Sequence, residues 1–279
     1  MTVKTLLVHV DNSKHCAARL DVAIGLARKF DAHLAGVYAI PDPYIAPYMA
    51  GGYVPAELIE QQLERGRDAA AEAESAFNAH MQGAGMEAEW RCAEGYAGAV
   101  ISQNARYADL TIVGQPDPDD TEGYPDPDLP AEVTLTSGRP VLVVPYIGAQ
   151  KTLGKNVMVA WNATRESTRA VNDALPILRL ADHVSVLAVN PGKGDGDHGE
   201  VPSADIALQL ARHGVKAEAT QTFSGDLEVA DVILSRISDT GADLLVMGAY
   251  GHSRMRELMM GGATRDILRH MTVPVLMSH

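Results

Sequence analysis

The chain has 279 residues, 46% of them hydrophobic, with 25 Gly and 15 Pro. That is enough apolar material for real cores and too little charge for a disordered tail, and nearly twice the ~150 residues expected of one domain, so two domains are expected. Lys plus Arg is 23 against Asp plus Glu 36, a formal charge of −13, which repels phosphate backbones and sets nucleic acid and anionic membrane aside as partners.

In chain order, short β-branched runs alternate with helical text. Strands are predicted near residues 4–10, 33–39, 86–92, 109–114 and 140–144, and again near 156–161, 183–189, 215–222, 243–247 and 273–277. The helix after the first strand shows Leu20, Ile24 and Ala27 on one face, with Ser13 as its expected N-cap. Its counterpart shows Val171, Ala174, Leu175 and Leu178 behind Thr164, with a kink expected at Pro176. After the second strand comes a Pro/Gly/Tyr-rich loop, residues 41–53, and a long helix from Pro55 to about Met81; the second half has a glycine-rich loop, Pro191 to Gly199, at that place. Cys16 and Cys92 lie too far apart to suggest a disulfide framework, the N-terminus reads as no signal peptide, and no run approaches the ~18 apolar residues of a membrane span. A reducing cytoplasm is the expected setting.

The chain is written twice. Lys4 to Ser13 lines up with Lys155 to Thr164, Ala108 to Gly114 with Ala242 to Gly248, and Arg139 to Val144 with Val273 to Ser278. The expected organisation is a domain at 1–148 and a second at 153–279, joined between Tyr146 and Gly154. Apolar strands joined by helices predict an α/β architecture of two tandem doubly wound domains, each a five-stranded, mostly parallel sheet with helices on both faces.

In such sheets ligands bind beyond the carboxyl ends of the strands. There the second copy has Gly248-Ala-Tyr-Gly251, then nine residues, then Gly261-Gly-Ala-Thr264 opening a helix. Glycines let backbone approach a polyanion, and free N–H groups at a helix start supply donors, so the segment reads as a phosphate cradle.

This G-x2-G-x9-G pattern, ahead of a helix and a final V-P-V-L strand, resembles the ATP-binding universal stress proteins. The resemblance covers both halves and implies a tandem universal stress protein with the adenine nucleotide alpha hydrolase-like fold. It would place Asn162 at the adenine or ribose end and offer the Val189 backbone to the base. Met247, Gly248 and Gly251 would line ribose and phosphates, and Gly261, Gly262, Ala263 and Thr264 would hold the phosphate tail. The family usually has Asp where Asn162 stands and Ser or Thr where Gly262 stands. The terminal strands of single-domain relatives pair between subunits, so the resemblance also implies an intramolecular pseudo-dimer of the two halves; a homodimer of whole chains remains open.

The first copy departs further. At the same 134-residue spacing, Gly251 falls on Asp117, Gly261 on Pro127, Gly262 on Asp128 and Thr264 on Pro130, and residues 115–132 hold seven carboxylates and no basic residue. Prolines lack N–H donors and carboxylates repel phosphate, so no nucleotide is expected there even though Asp11 is family-like. Arg254, Arg256 and Arg265 either meet phosphate or are solvated beside Glu257 and Asp266. His9, Asp11, His15 and Cys16 lack the spacing of a metal site, and residues 195–206 fail the calcium-loop pattern.

No P-loop, no nucleophile elbow and no candidate base or nucleophile is visible. The leading expectation is a stress-response protein that binds ATP, with or without Mg²⁺, in its second domain only, as a regulator with at most slow hydrolysis. The alternative is an interaction module of the same family that binds no nucleotide and engages a partner or another small ligand, with the Tyr/Pro loop as its contact.

Overall fold

The computed structural model describes residues 2–43, 56–120, 126–147, 152–191, 202–251 and 262–279. The first half runs β1 (Thr5–His9), α1 (Cys16–Phe30), β2 (His33–Ile40), α2 (Ala56–Gly83), β3 (Glu89–Glu94), α3 (Ala97–Ala105), β4 (Leu110–Gly114), α4 (Leu129–Thr136) and β5 (Val141–Val144). The second runs β6 (Asn156–Ala160), α5 (Arg165–Leu178), β7 (His183–Val189), α6 (Pro202–Arg212), β8 (Ala217–Thr222), α7 (Val229–Thr240), β9 (Leu244–Gly248), α8 (Ala263–His270) and β10 (Val275–Ser278). Among the described residues no helix is long and apolar enough to cross a membrane.

Among the described residues, ten strands form a single sheet in the order β3-β2-β1-β4-β5-β10-β9-β6-β7-β8. Every neighbouring pair is parallel except β5 and β10, which run antiparallel with Val275 opposite Val143 and Met277 opposite Val141. The sequence expectation is a five-stranded sheet in each half, with the halves associating through their terminal strands. The fully buried strands Val141–Val144 and Val275–Ser278 meet edge to edge and join the halves into one sheet, which leaves neither apolar edge unpaired. The outer edges are β3 and β8, whose mostly exposed, polar residues discourage further pairing.

Both sheet faces are covered, which explains why the central strands are apolar throughout rather than alternating. Leu6 and Val8 of β1 pack with Leu20, Ile24 and Phe77 under α1 and α2, a layer that continues through Val171 and Leu210 of α5 and α6. Leu7 faces the opposite layer, with Ile101, Val133, Ile233 and Ile267 of α3, α4, α7 and α8.

The halves repeat in their hydrogen bonds as well as their text. Gln115 N–H donates to Val144 O, and Ala249 N–H to Ser278 O. Asp109 takes the Lys4 and Thr5 N–H groups, and Asp243 takes those of Lys155 and Asn156. The expected caps differ. Thr164 caps α5 by accepting from Ser167 N–H. Ser13, however, does not cap α1, which begins after His15; its N–H and hydroxyl both donate to Asp11 Oδ1, at 3.0 and 2.6 Å, so its oxygen is drawn into the preceding turn. Helix α5 runs through Pro176 to Leu178 and ends there.

Candidate functional site

A cavity of about 590 Å³, counted with its open mouth, lies at the carboxyl ends of β6, β7 and β9, where the order of the second half's strands reverses. Of the sequence-predicted residues, Asn162, Val189, Met247, Gly248, Gly251, Ala263 and Thr264 line it together. Gly262 is not in its wall but stands next to it as the N-cap of α8. Gly261, Arg254, Arg256 and the Tyr/Pro loop at 44–53 lie outside the described residues. Arg265 is described, in the first turn of α8, and is not in the wall.

Sequence reasoning missed Ala160, Trp161, Leu187, Val229 and Ile233, which complete the wall. The signals existed. Leu187 and Val189 share a face of β7 by the two-residue period of a strand, and Val229 and Ile233 share a face of α7 at i and i+4. These aliphatic side chains, with Met247, make one side of the cavity apolar.

The opposite side is backbone. Gly248 sits so close to the start of α5 that a Cβ there would lie 2.4 Å from Ser167 N and 2.6 Å from Glu166 C, so only glycine fits. A Cβ on Gly251 would lie 3.0 Å from Glu166 Oε2 and 3.5 Å from Thr164 Oγ1. Between the glycines Tyr250 takes a left-handed conformation, φ 57°, and its N–H donates to Thr264 Oγ1 at 3.3 Å, tying the turn after β9 to α8. The ladder of α8 starts with Arg265 and Asp266 N–H donating to Gly262 O. The earlier N–H groups of its first turn are therefore donors the helix does not use, at the positive end of its dipole.

Asn162 Oδ1 accepts from Thr164 N–H and Oγ1–H, which leaves the Nδ2 group as the part of that side chain the turn does not use. Behind Gly251 lies Glu166, buried and paired with the exposed Arg165 at 2.9 Å. Burial pushes its carboxyl up, but its own backbone N–H, the Arg165 guanidinium and the Thr164 hydroxyl outweigh burial and hold it below the usual range, so it is ionised at neutral pH.

The corresponding end of the first half is built from charge pairs. Asp11, aligned with Asn162, pairs with the buried Arg19 at 2.7 Å, and Arg19 Nε also donates to His9 O at 2.8 Å. Asp117, aligned with Gly251, holds Lys14 Nζ at 2.8 Å and His15 Nε2 at 2.9 Å. Those two partners and the Asp119 N–H keep its carboxyl well below the usual range. The chain after β4 is thereby drawn onto the start of α1 by its own carboxylate. Among the described residues no group of His, Cys, Asp and Glu is arranged to hold a metal.

Residues 154–279 match the universal stress protein family model. A universal stress protein of Synechocystis sp. is 37% identical over 89 residues, 32% of this chain and 30% of the relative, so the match spans under a third of that relative's length. Among solved structures, a universal stress protein from Archaeoglobus fulgidus superposes with a TM-score of 0.75 at 16% identity, covering 99% of this chain and 96% of that one. A functionally unknown protein from Pseudomonas aeruginosa gives 0.56 at 14% identity, covering 99% and 92%. The second half of the chain, which carries the cavity, thus matches the universal stress protein family, and the chain from end to end is similar in fold to a universal stress protein.

Proposed function

We propose that the chain is a tandem universal stress protein, residues 1–148 and 153–279, whose second half binds an adenine nucleotide and whose first half binds none. One observation carries the reading: the glycine turn 248–251 and the first turn of α8 meet across one cavity whose other side is apolar. The apolar side, Leu187, Val189, Ile233 and Met247, suits a purine base, and Asn162 Nδ2 would donate to the base or ribose. Gly248, Gly251 and Thr264, with the unused N–H groups of Ala263 and Thr264, suit a phosphate chain, with Gly261 and Gly262 completing the proposed cradle. ATP, with or without Mg²⁺, is the proposed ligand.

The reading makes the protein a regulator rather than a fast hydrolase, because hydrolysis requires a positioned water and a base and the described wall offers no titratable side chain. The two halves would act as an intramolecular pseudo-dimer through β5 and β10, in a stress-response role in the cytoplasm. Mass spectrometry of the purified protein after denaturation tests the ligand. Release of adenine nucleotide, or its uptake on incubation with ATP, is the expected result. Neither release nor uptake would leave the interaction module of the same family as the better account.

A further inference from the structure

We propose that Gln115, a residue of the first half, is a positioning residue for the second half's cavity: it sets the place of α8 by gripping that helix at the end far from the ligand. The binding arm of this inference rests on the nucleotide reading above; the structural arm does not.

Gln115 follows β4 and is buried, 4% exposed. Its Nε2 donates to Leu268 O at 2.9 Å and to Arg269 O at 3.1 Å, two carbonyls of the last turn of α8. Its Oε1 accepts from Tyr146 N–H at 3.2 Å, which fixes the orientation of the amide. Last-turn carbonyls are the ones a helix cannot satisfy itself. Helix α8 has eight residues, about two turns, and a helix so short takes its position from what holds it rather than from its own ladder. Leu268 is one turn, roughly 6 Å, from Thr264 in the cavity wall, so a shift at the gripped end is passed to the first turn.

Only an amide fits here. A carboxylate has no donor and would face two carbonyls, and a methionine would leave them bare. The equivalent residue of the second half is Ala249, which has no side chain to return the grip. The contact therefore runs one way, from the half with the charge-paired strand ends to the half with the cavity.

The test uses the full chain with Gln115→Met, which keeps the length and removes the bonds, and Gln115→Glu, which reverses the polarity. Amide hydrogen exchange without ligand reads the structural arm. Exchange in residues 265–271 is expected to rise about tenfold, with β6, β7 and β9 unchanged. Titration with ATP, followed by Trp161 fluorescence in a Trp90→Phe background, reads the binding arm. The dissociation constant is expected to rise about tenfold in Gln115→Met and further in Gln115→Glu. Unchanged exchange in α8, or a rise spread evenly over the whole chain, overturns the proposal, and so does unchanged ATP affinity in both variants. Should the Trp90→Phe parent itself fail to bind ATP, the nucleotide reading falls and the exchange arm alone decides the role of Gln115.

Discussion

Arg19 Nη2 lies 2.7 Å from Asp11 Oδ2, with both side chains nearly sealed from water, at the place where the second half has Ala170 and Asn162. The two positions differ together between the halves: the carboxylate comes with a guanidinium, the amide with a methyl. Removing one member of a buried pair leaves the other uncompensated, so Arg19→Ala is expected to cost about 3–5 kcal/mol in urea unfolding. Adding Asp11→Asn, which copies the second half, should recover at least half of that loss. A cost near zero for Arg19→Ala alone would refute the pairing.

His9 lies in the same cluster, with its pKa lowered to about 4. Burial is the main cause; Asp11 pulls it up and Arg19 pushes it down. The unfolded chain protonates this group near 6.5 and the folded chain only near 4, so between those values the unfolded state carries more protons and stability falls as pH falls. The loss from this residue should reach about 3 kcal/mol at pH 4. In His9→Ala, which copies Ala160, the slope of stability against pH from 6.5 to 4 should flatten. Parallel slopes in the two proteins would contradict this.

Two glycines of the cavity make different demands. A Cβ on Gly248 meets the backbone of Glu166 and Ser167, which cannot yield, whereas a Cβ on Gly251 meets the end of the Glu166 side chain, which can swing. Gly248→Ala should cost about 1–3 kcal/mol and displace α5, while Gly251→Ala should cost under about 1. Thermal unfolding of both variants decides; equal losses would mean that the close approach at Gly248 is relieved in some other way.

The antiparallel pair β5 and β10 predicts that halves expressed separately, cut at residue 149, stay together. They should co-elute in size exclusion, or each should pair with itself through the same strand. Two monomers with no mutual affinity would contradict a shared sheet.

Much of this was legible in the text. The ten strands are found close to where β-branched runs place them, and seven predicted site residues share one cavity, because strand ends and glycine turns are set by local chemistry. What was not legible depends on distance in three dimensions. The family resemblance marks residues 141–144 and 275–278 as pairing strands, but not the antiparallel register that sets Val275 opposite Val143, and Arg19 reads as one more charged residue of an amphipathic helix until it is found on Asp11. The i, i+4 spacing puts Val229 and Ile233 on one face of α7, but that this face turns toward the cavity, beside Trp161, is set by how the helix packs rather than by its own text. Ser13 reads as a cap by residue type, and Asp11 takes it instead.

The central claim is one nucleotide per chain, held by the second half, and calorimetry with ATP on the full chain tests it most directly. Gly262 is the N-cap of α8 in an extended conformation, φ −90° and ψ 159°, so Gly262→Asp suits the helix while placing a carboxylate at the proposed phosphate tail. At ~4 Å and an effective dielectric near 20, that repulsion is on the order of 4 kcal/mol before screening. The account predicts a stoichiometry of one, no detectable binding by Gly262→Asp at an undiminished melting temperature, and unchanged binding by Asp117→Gly. Two sites per chain, or undiminished binding by Gly262→Asp, would contradict it.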